Sequence, residues 1–394
     1  MRRSIRLTLA AAIVPAIALT TALGTASAAP SPEPGDRIIL IQRAPAEPGV
    51  TVVKDTYIVE LKKGTKLNRS LGVSPQRQFS TAVNGFSAKL NAAQLAALQK
   101  NPDVVAISQD ALYQAIDATQ TNPPSWGIDR VDQRNLPLSN SFTYTRTGSG
   151  VHAYIIDSGV DPSHPNFGGR ASFDFNGIDS NNTDCNGHGT HVAGTIGSAS
   201  YGVAKSVRLH GVKWLNCSGG GTASAAIAAV DWVTRNAIKP AVANTSWNYP
   251  ANTTLETSLR NMIRSGVFLA TSAGNTGANS CHLLPRKIET ALVTAASTRT
   301  DARASYSSTG SCVDVYAPGS AIVSTLPGNT TGSYNGTSMA TPHVAGVAAL
   351  YLQTSPSATP ATVKSYIETN ATPNKVSGGT TGGTVNRLLF SNGL

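Results

Sequence analysis

Val151-His152-Ala153-Tyr154-Ile155-Ile156-Asp157-Ser158-Gly159-Val160 is the stretch on which the fold turns. A short, near-continuous apolar run ending at a carboxylate and a glycine reads as a buried strand closing in a turn. The same pattern recurs downstream. Apolar runs at 209–215, 241–246, 267–272, 292–296 and 313–316 alternate with helical patterns at 188–196, 223–235, 254–264 and 338–352. Strands that are apolar on both sides and separated by helices imply a mostly parallel sheet with helices on both faces, an α/β domain. In such sheets reactive groups gather at the carboxyl ends of the strands, where Asp157 stands.

Working outward, the N-terminus is of a different kind. Arg2, Arg3 and Arg6 precede an apolar stretch from about Leu7 to Leu23, and Ala26-Ser27-Ala28 offers a small-residue cleavage site. This reads as a secretory signal over 1–28, not a membrane anchor, because the run is short and ends at small residues. Residues 29–55, rich in Pro, Ala and Glu, read as a linker. A compact α+β unit follows, with strands at 57–61, 83–90 and 104–107 and a short helix from Ala92 to Lys100 capped by Asn91. Fewer than 65 residues are involved, so the unit is marginal alone and is expected to work against a partner surface. Residues 114–126 read as a polar, extended connector open to proteolysis. The organisation expected is a leader at 1–28, a second segment at 29–117 and the main domain at 118–394.

Composition narrows the function. The chain has 394 residues, 40% of them hydrophobic and only 13% charged. The formal charge is +10. The leader holds +3 of it, residues 29–117 hold +2 and the rest +5, with no Lys/Arg run and no basic residues interleaved with aromatics. Nucleic-acid binding is therefore not expected. The four cysteines, Cys185, Cys217, Cys281 and Cys312, suggest two disulfides in an exported chain. Three connectivities are open, of which the sequential one closes the shortest loops.

Three segments carry chemistry. Asp157 follows the first strand, where a carboxylate is costly unless it is partnered. His188 lies in Asn186-Gly187-His188-Gly189-Thr190-His191-Val192-Ala193-Gly194-Thr195, at the start of a helix of small residues that can sit close to the sheet. Gly187 and Gly189 bare the backbone around its imidazole; His191 reads as a packed histidine. Ser338, in Asn335-Gly336-Thr337-Ser338-Met339-Ala340-Thr341-Pro342-His343-Val344-Ala345-Gly346, would open a buried helix. There the helix N-terminus favours developing negative charge. Each has an ordinary reading alone: a turn aspartate, a structural histidine, a capping serine. Together they supply a hydroxyl nucleophile, a base near neutral pKa and an anion to orient the base.

The order Asp, His, Ser is that of subtilisin. On these motifs the chain resembles the subtilisin-like serine peptidases of the proteinase K and aqualysin branch, from about residue 56 to the end. The resemblance implies a subtilisin-like α/β fold preceded by a small α+β, ferredoxin-like propeptide domain at 56–113 that acts as folding aid and inhibitor. It implies a secreted serine endopeptidase acting through an acyl-enzyme, made as an autoprocessed zymogen with its mature N-terminus near Ala118. Protein or peptide substrates are expected, with the chain's own propeptide as intramolecular inhibitor, no nucleic-acid or membrane partner, and a monomeric state. Asn275, in Ser272-Ala273-Gly274-Asn275, matches the side chain that completes the oxyanion hole. Ser218-Gly219-Gly220-Gly221 matches the edge that pairs with extended substrate. The resemblance also implies the sequential pairs Cys185–Cys217 and Cys281–Cys312.

The chain departs from the family in places. Asn244-Thr245-Ser246-Trp247-Asn248-Tyr249 stands where the family has Ser-Leu-Gly-Gly; Ser246 matches, whereas Trp247 and Asn248 alter a strand that lines the S1 pocket. Residues 281–288 keep only Pro285 of the pocket rim. Structural calcium is implied at Asp314 with the carbonyls of Glu289 and Ala291, and at Asp129, Asp132 and Gln133 with Ser139 and Ser141. Asn374 replaces a carboxylate at another family site, so no calcium is expected there. No catalytic metal is expected. Cys185-x-x-His188-x-x-His191 looks like a zinc cluster, but export should oxidise Cys185. A secreted binding module with a decayed site is disfavoured because every catalytic position is filled. An α/β-hydrolase esterase is disfavoured because Gly336-Thr337-Ser338-Met339-Ala340 lacks the final glycine of its nucleophile elbow.

Overall fold

The computed structural model describes residues 38–43, 50–65, 72–113 and 118–394. The expected leader at 1–28 lies outside the described residues. The chain divides into two compact units, Met1–Gln114 and Ala115–Leu394.

In the first unit, β1 (Ile41–Gln42), β2 (Val50–Leu61), β3 (Arg77–Phe79), β4 (Gly85–Lys89) and β5 (Val104–Tyr113) form one sheet in the order β1-β5-β2-β4-β3. Helix α1 (Ala92–Gln99) begins at a complete capping box: Asn91 Oδ1 accepts the Gln94 N–H at 2.9 Å and Gln94 Oε1 accepts the Asn91 N–H at 3.0 Å. Strands β4 and β5 are each antiparallel to β2, so β4-α1-β5 is a split βαβ, the ferredoxin-like device. Val59, Phe86, Ala88, Leu98 and Ile107 fill its core. One expectation needs correcting. Part of the supposed linker at 29–55 is sheet, since β1 pairs with Ile107 and Ser108 and β2 begins at Val50. Pro and Glu nearby disguise these strands, and pairing against β5 overrides local composition.

The second unit opens with β6 (Ala118–Thr121), which pairs with β7 (Ser141–Tyr144), so the supposed connector at 114–126 also contains a strand. Between them lies α2 (Trp126–Val131), whose six residues are all buried. The main sheet contains β8 (His152–Asp157), β9 (Ala171–Asn176), β10 (Arg208–Lys213), β11 (Ala241–Thr245), β12 (Val267–Ser272), β13 (Leu292–Ser297), β14 (Val315–Pro318), β17 (Thr372–Pro373) and β18 (Arg387–Leu388). Their order is β17-β18-β14-β13-β12-β11-β8-β10-β9, and every pairing is parallel except β17 with β18. The hairpin β15 (Ile322–Leu326) and β16 (Thr330–Tyr334) stands apart.

Helices α3 (His188–Gly197), α4 (Ala223–Asn236), α5 (Thr253–Arg264), α6 (Thr337–Thr354) and α7 (Pro360–Asn370) cover the sheet. Alternate residues of each strand serve opposite faces. Ile155, Leu209, Val242 and Phe268 join Val192, Ile196, Val344 and Val347 of α3 and α6. Ile156, Val212, Ala243 and Leu269 join Val230, Val233, Leu255 and Leu259 of α4 and α5. The chain leaves β8 toward β9 and β10, then returns to the other side of β8 with β11. The order of strands therefore reverses at β8, and the crevice outside its carboxyl end is where ligands bind in open α/β sheets. Among the described residues no helix is long and apolar enough to cross a membrane.

Candidate active site

Asp157 is the last residue of β8 and its side chain is wholly buried. Its Oδ1 accepts the Ser158 N–H at 2.8 Å and the ring N–H of His188 Nδ1 at 2.7 Å. His188, the first residue of α3, keeps about a quarter of its side chain exposed, so the base is reachable while its anion is not. Burial pushes the imidazolium pKa down. The charge of Asp157 and its hydrogen bond outweigh that, and the net shift is above the ordinary 6.5.

The approach of α3 to β8 needs Gly189: a Cβ there would lie 2.0 Å from the Gly159 carbonyl oxygen and 3.2 Å from Asp157 Cβ. Asp184 pins the loop before α3. Buried itself, it accepts Gly187 N–H and Thr190 N–H at 2.8 Å each and the Ser158 hydroxyl at 2.9 Å. Sequence reasoning missed Asp184. Its signal was an aspartate beside Cys185 with free backbone donors at the coming helix turn.

Ser338 lies in the first turn of α6, whose N-cap is Gly336 at φ 155°. Its hydroxyl donates to the Ser246 carbonyl at 3.0 Å, and Ser246 Oγ donates back to the Ser338 carbonyl at 3.1 Å. Ser338 and His188 face the same cleft, of about 480 Å³, without a hydrogen bond between them. Asn275, just past β12, faces that cleft too. Its Oδ1 accepts both the N–H and the hydroxyl of Thr337 at 2.9 Å, which leaves Nδ2 to donate. A point one Cβ length out from Gly336 lies 3.4 Å from Asn275 Nδ2 and 3.6 Å from the Ser338 nitrogen, so the two donors flank one space. Thr337, like Asp184, was not singled out by the sequence.

Gly219 and Gly221 line the cleft, whereas Ser218 and Gly220 form a turn on Asn216. Ser246, Trp247 and Asn248 line the same cleft. Trp247 is turned inward: its indole N–H donates to the Ile156 carbonyl at 2.8 Å and its ring meets Trp214 edge-on with centroids 4.7 Å apart. His191 is buried, stacked on Tyr334 and bonded to the Ile322 and Gly332 carbonyls; burial lowers its pKa to about 4. The disulfides are Cys185–Cys217 and Cys281–Cys312, which removes Cys185 from any zinc cluster with His188 and His191.

The family model described as Subtilase family matches residues 148–391, a span that holds Asp157, His188, Asn275 and Ser338. The chain belongs to the subtilase family. A second model, Peptidase inhibitor I9, matches residues 66–115 of this subtilase. Extracellular serine proteinase of Thermus sp. (strain Rt41A) is 46% identical over 78% of the subtilase and 76% of its own length. Proteinase R of Parengyodontium album is 37% identical over 95% and 99%. Alkaline serine exoprotease A of Vibrio alginolyticus is 47% identical over 79% of the subtilase, which spans 59% of that longer protein. Among solved structures, a cold adapted subtilisin-like serine proteinase matches at 47% identity with a TM-score of 0.66, covering 68% of this chain and 97% of its own.

The two expected calcium sites differ in fit. At the first, Asp129 accepts the Ser139 and Asn140 N–H groups, Asp132 Oδ2 accepts the Thr143 N–H, and Gln133 Oε1 accepts the Ser139 N–H. Ser139 and Ser141 share a hydroxyl hydrogen bond of 2.8 Å. Asp132 Oδ1 is buried without a partner, and burial raises the pKa of this carboxyl to about 6, with the Asp129 charge adding to the rise. Two carboxylates and an orphaned oxygen suit a hard cation. The second set does not fit calcium. The Lys364 ammonium donates to the Glu289 carbonyl at 2.8 Å, the Ala291 carbonyl at 2.7 Å and Asp314 Oδ2 at 2.9 Å. The expectation of a metal ion among these three ligands is corrected accordingly. Among the described residues no cluster of three or more His, Cys, Asp or Glu side chains is placed to hold a metal.

Proposed function

We propose that this subtilase is a secreted serine endopeptidase that works through an acyl-enzyme and is made as a zymogen it processes itself. The observation that carries the reading is the buried Asp157–His188 hydrogen bond of 2.7 Å opening on a cleft shared with Ser338 and Asn275. In the reaction the Ser338 hydroxyl turns from the Ser246 carbonyl toward His188 Nε2, gives up its proton there and attacks the scissile carbonyl carbon. Catalytic hydrogen bonds in unliganded sites commonly close only when substrate binds. Asn275 Nδ2 and the Ser338 N–H hold the oxyanion, and Asp157 stabilises the imidazolium. His188 then protonates the leaving amine as the carbon–nitrogen bond breaks. Water, deprotonated by His188, releases the acyl group and restores the Ser338 hydroxyl.

Extended peptide is the substrate class, running along Ser218-Gly219-Gly220-Gly221 on one side and Ser246, Trp247 and Asn248 on the other. Residues 29–117 act as propeptide and inhibitor, and the mature enzyme is residues 118–394, a monomer. If structural calcium is bound, Asp129, Asp132 and Gln133 hold it and brace the α2–β7 loop.

Intact mass of the exported protein, wild type beside Ser338→Ala, tests the reading. A wild-type chain starting near Ala118 with the variant left as precursor is the expected result. If both remain precursors and the wild type fails to label with a fluorophosphonate, the site is not a working peptidase.

A further inference from the structure

Lysine has three N–H donors on its ammonium and no acceptor. In α7 the Lys364 side chain spends all three on the carbonyls of Glu289 and Ala291 and on Asp314 Oδ2, at 2.7–2.9 Å. Its Nζ thus sits at the focus of two carbonyl dipoles and a carboxylate, the kind of oxygen set that holds a hard cation. Asp314 is fixed independently, since the same Oδ2 accepts the Val293 N–H at 2.8 Å. The Glu289 side chain turns away to Arg260 at 3.0 Å, so only its carbonyl faces the site. Glu368, one helical turn after Lys364, stands 3.8 Å from the ammonium and adds a second negative charge. The space beside these groups, about 340 Å³, has room for water.

We propose that Lys364 is a built-in replacement for a metal ion: its ammonium fills a preformed cation site just before the start of β14, and this site takes no calcium in the wild-type protein. The lysine ties α7 to the loop before β13 and to Asp314, as a bound ion would, but through a covalent tether. Bringing a calcium ion into the site would require expelling a paired ammonium from a half-buried position, whereas removing the lysine leaves two carboxylates and two carbonyls facing open space.

Calcium bound to metal-stripped protein is counted by isothermal titration, with unfolding followed by circular dichroism in calcium and in EDTA. Wild type and Asp314→Asn should bind equal numbers of calcium ions. Lys364→Ala, a substitution that suits a helix interior, should bind one ion more than wild type. Its unfolding temperature should gain more from calcium than that of wild type does. Lys364→Ala/Asp314→Asn should lose the extra ion. Calcium at Asp129, Asp132 and Gln133 contributes equally to all four proteins and cancels in the comparison. Loss of one ion in Asp314→Asn alone would overturn the proposal, and so would a folded Lys364→Ala that gains none. Should Lys364→Ala fail to fold, the comparison of wild type with Asp314→Asn still decides.

Discussion

Replacing Thr337 by valine removes one hydroxyl while keeping the side-chain volume. That hydroxyl is fully buried, receives the Gly274 N–H at 3.0 Å and donates to Asn275 Oδ1 at 2.9 Å. Without it the Gly274 N–H loses its acceptor, which costs about 1–3 kcal/mol of stability. The kinetic effect passes through Asn275. Its Oδ1 is held by two bonds, and the variant keeps only the one from the Thr337 N–H at 2.9 Å. Losing an oxyanion donor outright costs about 100- to 1000-fold in rate. Losing one of two bonds that aim it should forfeit about one neutral hydrogen bond, ~1 kcal/mol or about 5-fold in kcat. Because the oxyanion exists only in the transition state, kcat and kcat/KM should fall together. The assay is steady-state hydrolysis of a peptide p-nitroanilide by wild type, Thr337→Val, Asn275→Ala and the double variant. The double variant should be no slower than Asn275→Ala, a coupling of ~1 kcal/mol. Independent, multiplicative losses would refute the reasoning, because Thr337 would then act by a route that bypasses the Asn275 amide.

Further outcomes concern the base, its helix and the core. Since the net pKa of His188 lies above 6.5, the acid limb of kcat/KM against pH should have its midpoint above that value, and Asp157→Asn should lower it. The same pair contributes stability that is fully present below the unfolded histidine pKa and is lost as pH rises through the higher folded one; equilibrium denaturation of the wild type and Asp157→Asn across pH 5–9 measures it. Gly189→Ala puts a methyl 2.0 Å from a carbonyl oxygen, so α3 must withdraw from β8; fluorophosphonate labelling should slow by about 100-fold. Arg130 is fully buried and grips Asp301 through two bonds of 2.8 and 2.9 Å. Arg130→Met strands that carboxylate and should cost about 3–5 kcal/mol in urea denaturation, and clearly less in an Asp301→Asn background.

The parts legible in the sequence are those whose chemistry is local. A strand such as β8 declares itself by apolar residues on both faces, and α6 by an apolar run starting at a glycine-serine turn. Asp157, His188 and Ser338 each stand at such an element's end, so naming the elements nearly names the residues. Other features depend on partners far along the chain. Strand β9, Ala171–Asn176, alternates apolar with polar residues and is half-buried throughout, as an edge strand paired only with β10, so it lacks the continuous apolar run that marks β8. Thr337 gains its meaning from Asn275, 62 positions away. Lys364 reads as one more polar residue of α7 until the carbonyls of Glu289 and Ala291 are seen to converge on it. At Asp314 the oxygens expected to hold calcium converge on the Lys364 ammonium, a cation supplied from a helix 50 residues on.

Fourteen of the eighteen residues of α6 are buried, and the nucleophile stands in its first turn. A copy that begins to come apart therefore loses its cutting edge together with its fold. In a population of proteases packed at high concentration, a damaged molecule becomes food for its neighbours before it can become a careless enzyme. Quality control of this kind needs no other protein, because it follows from anchoring the serine to a helix buried in the core.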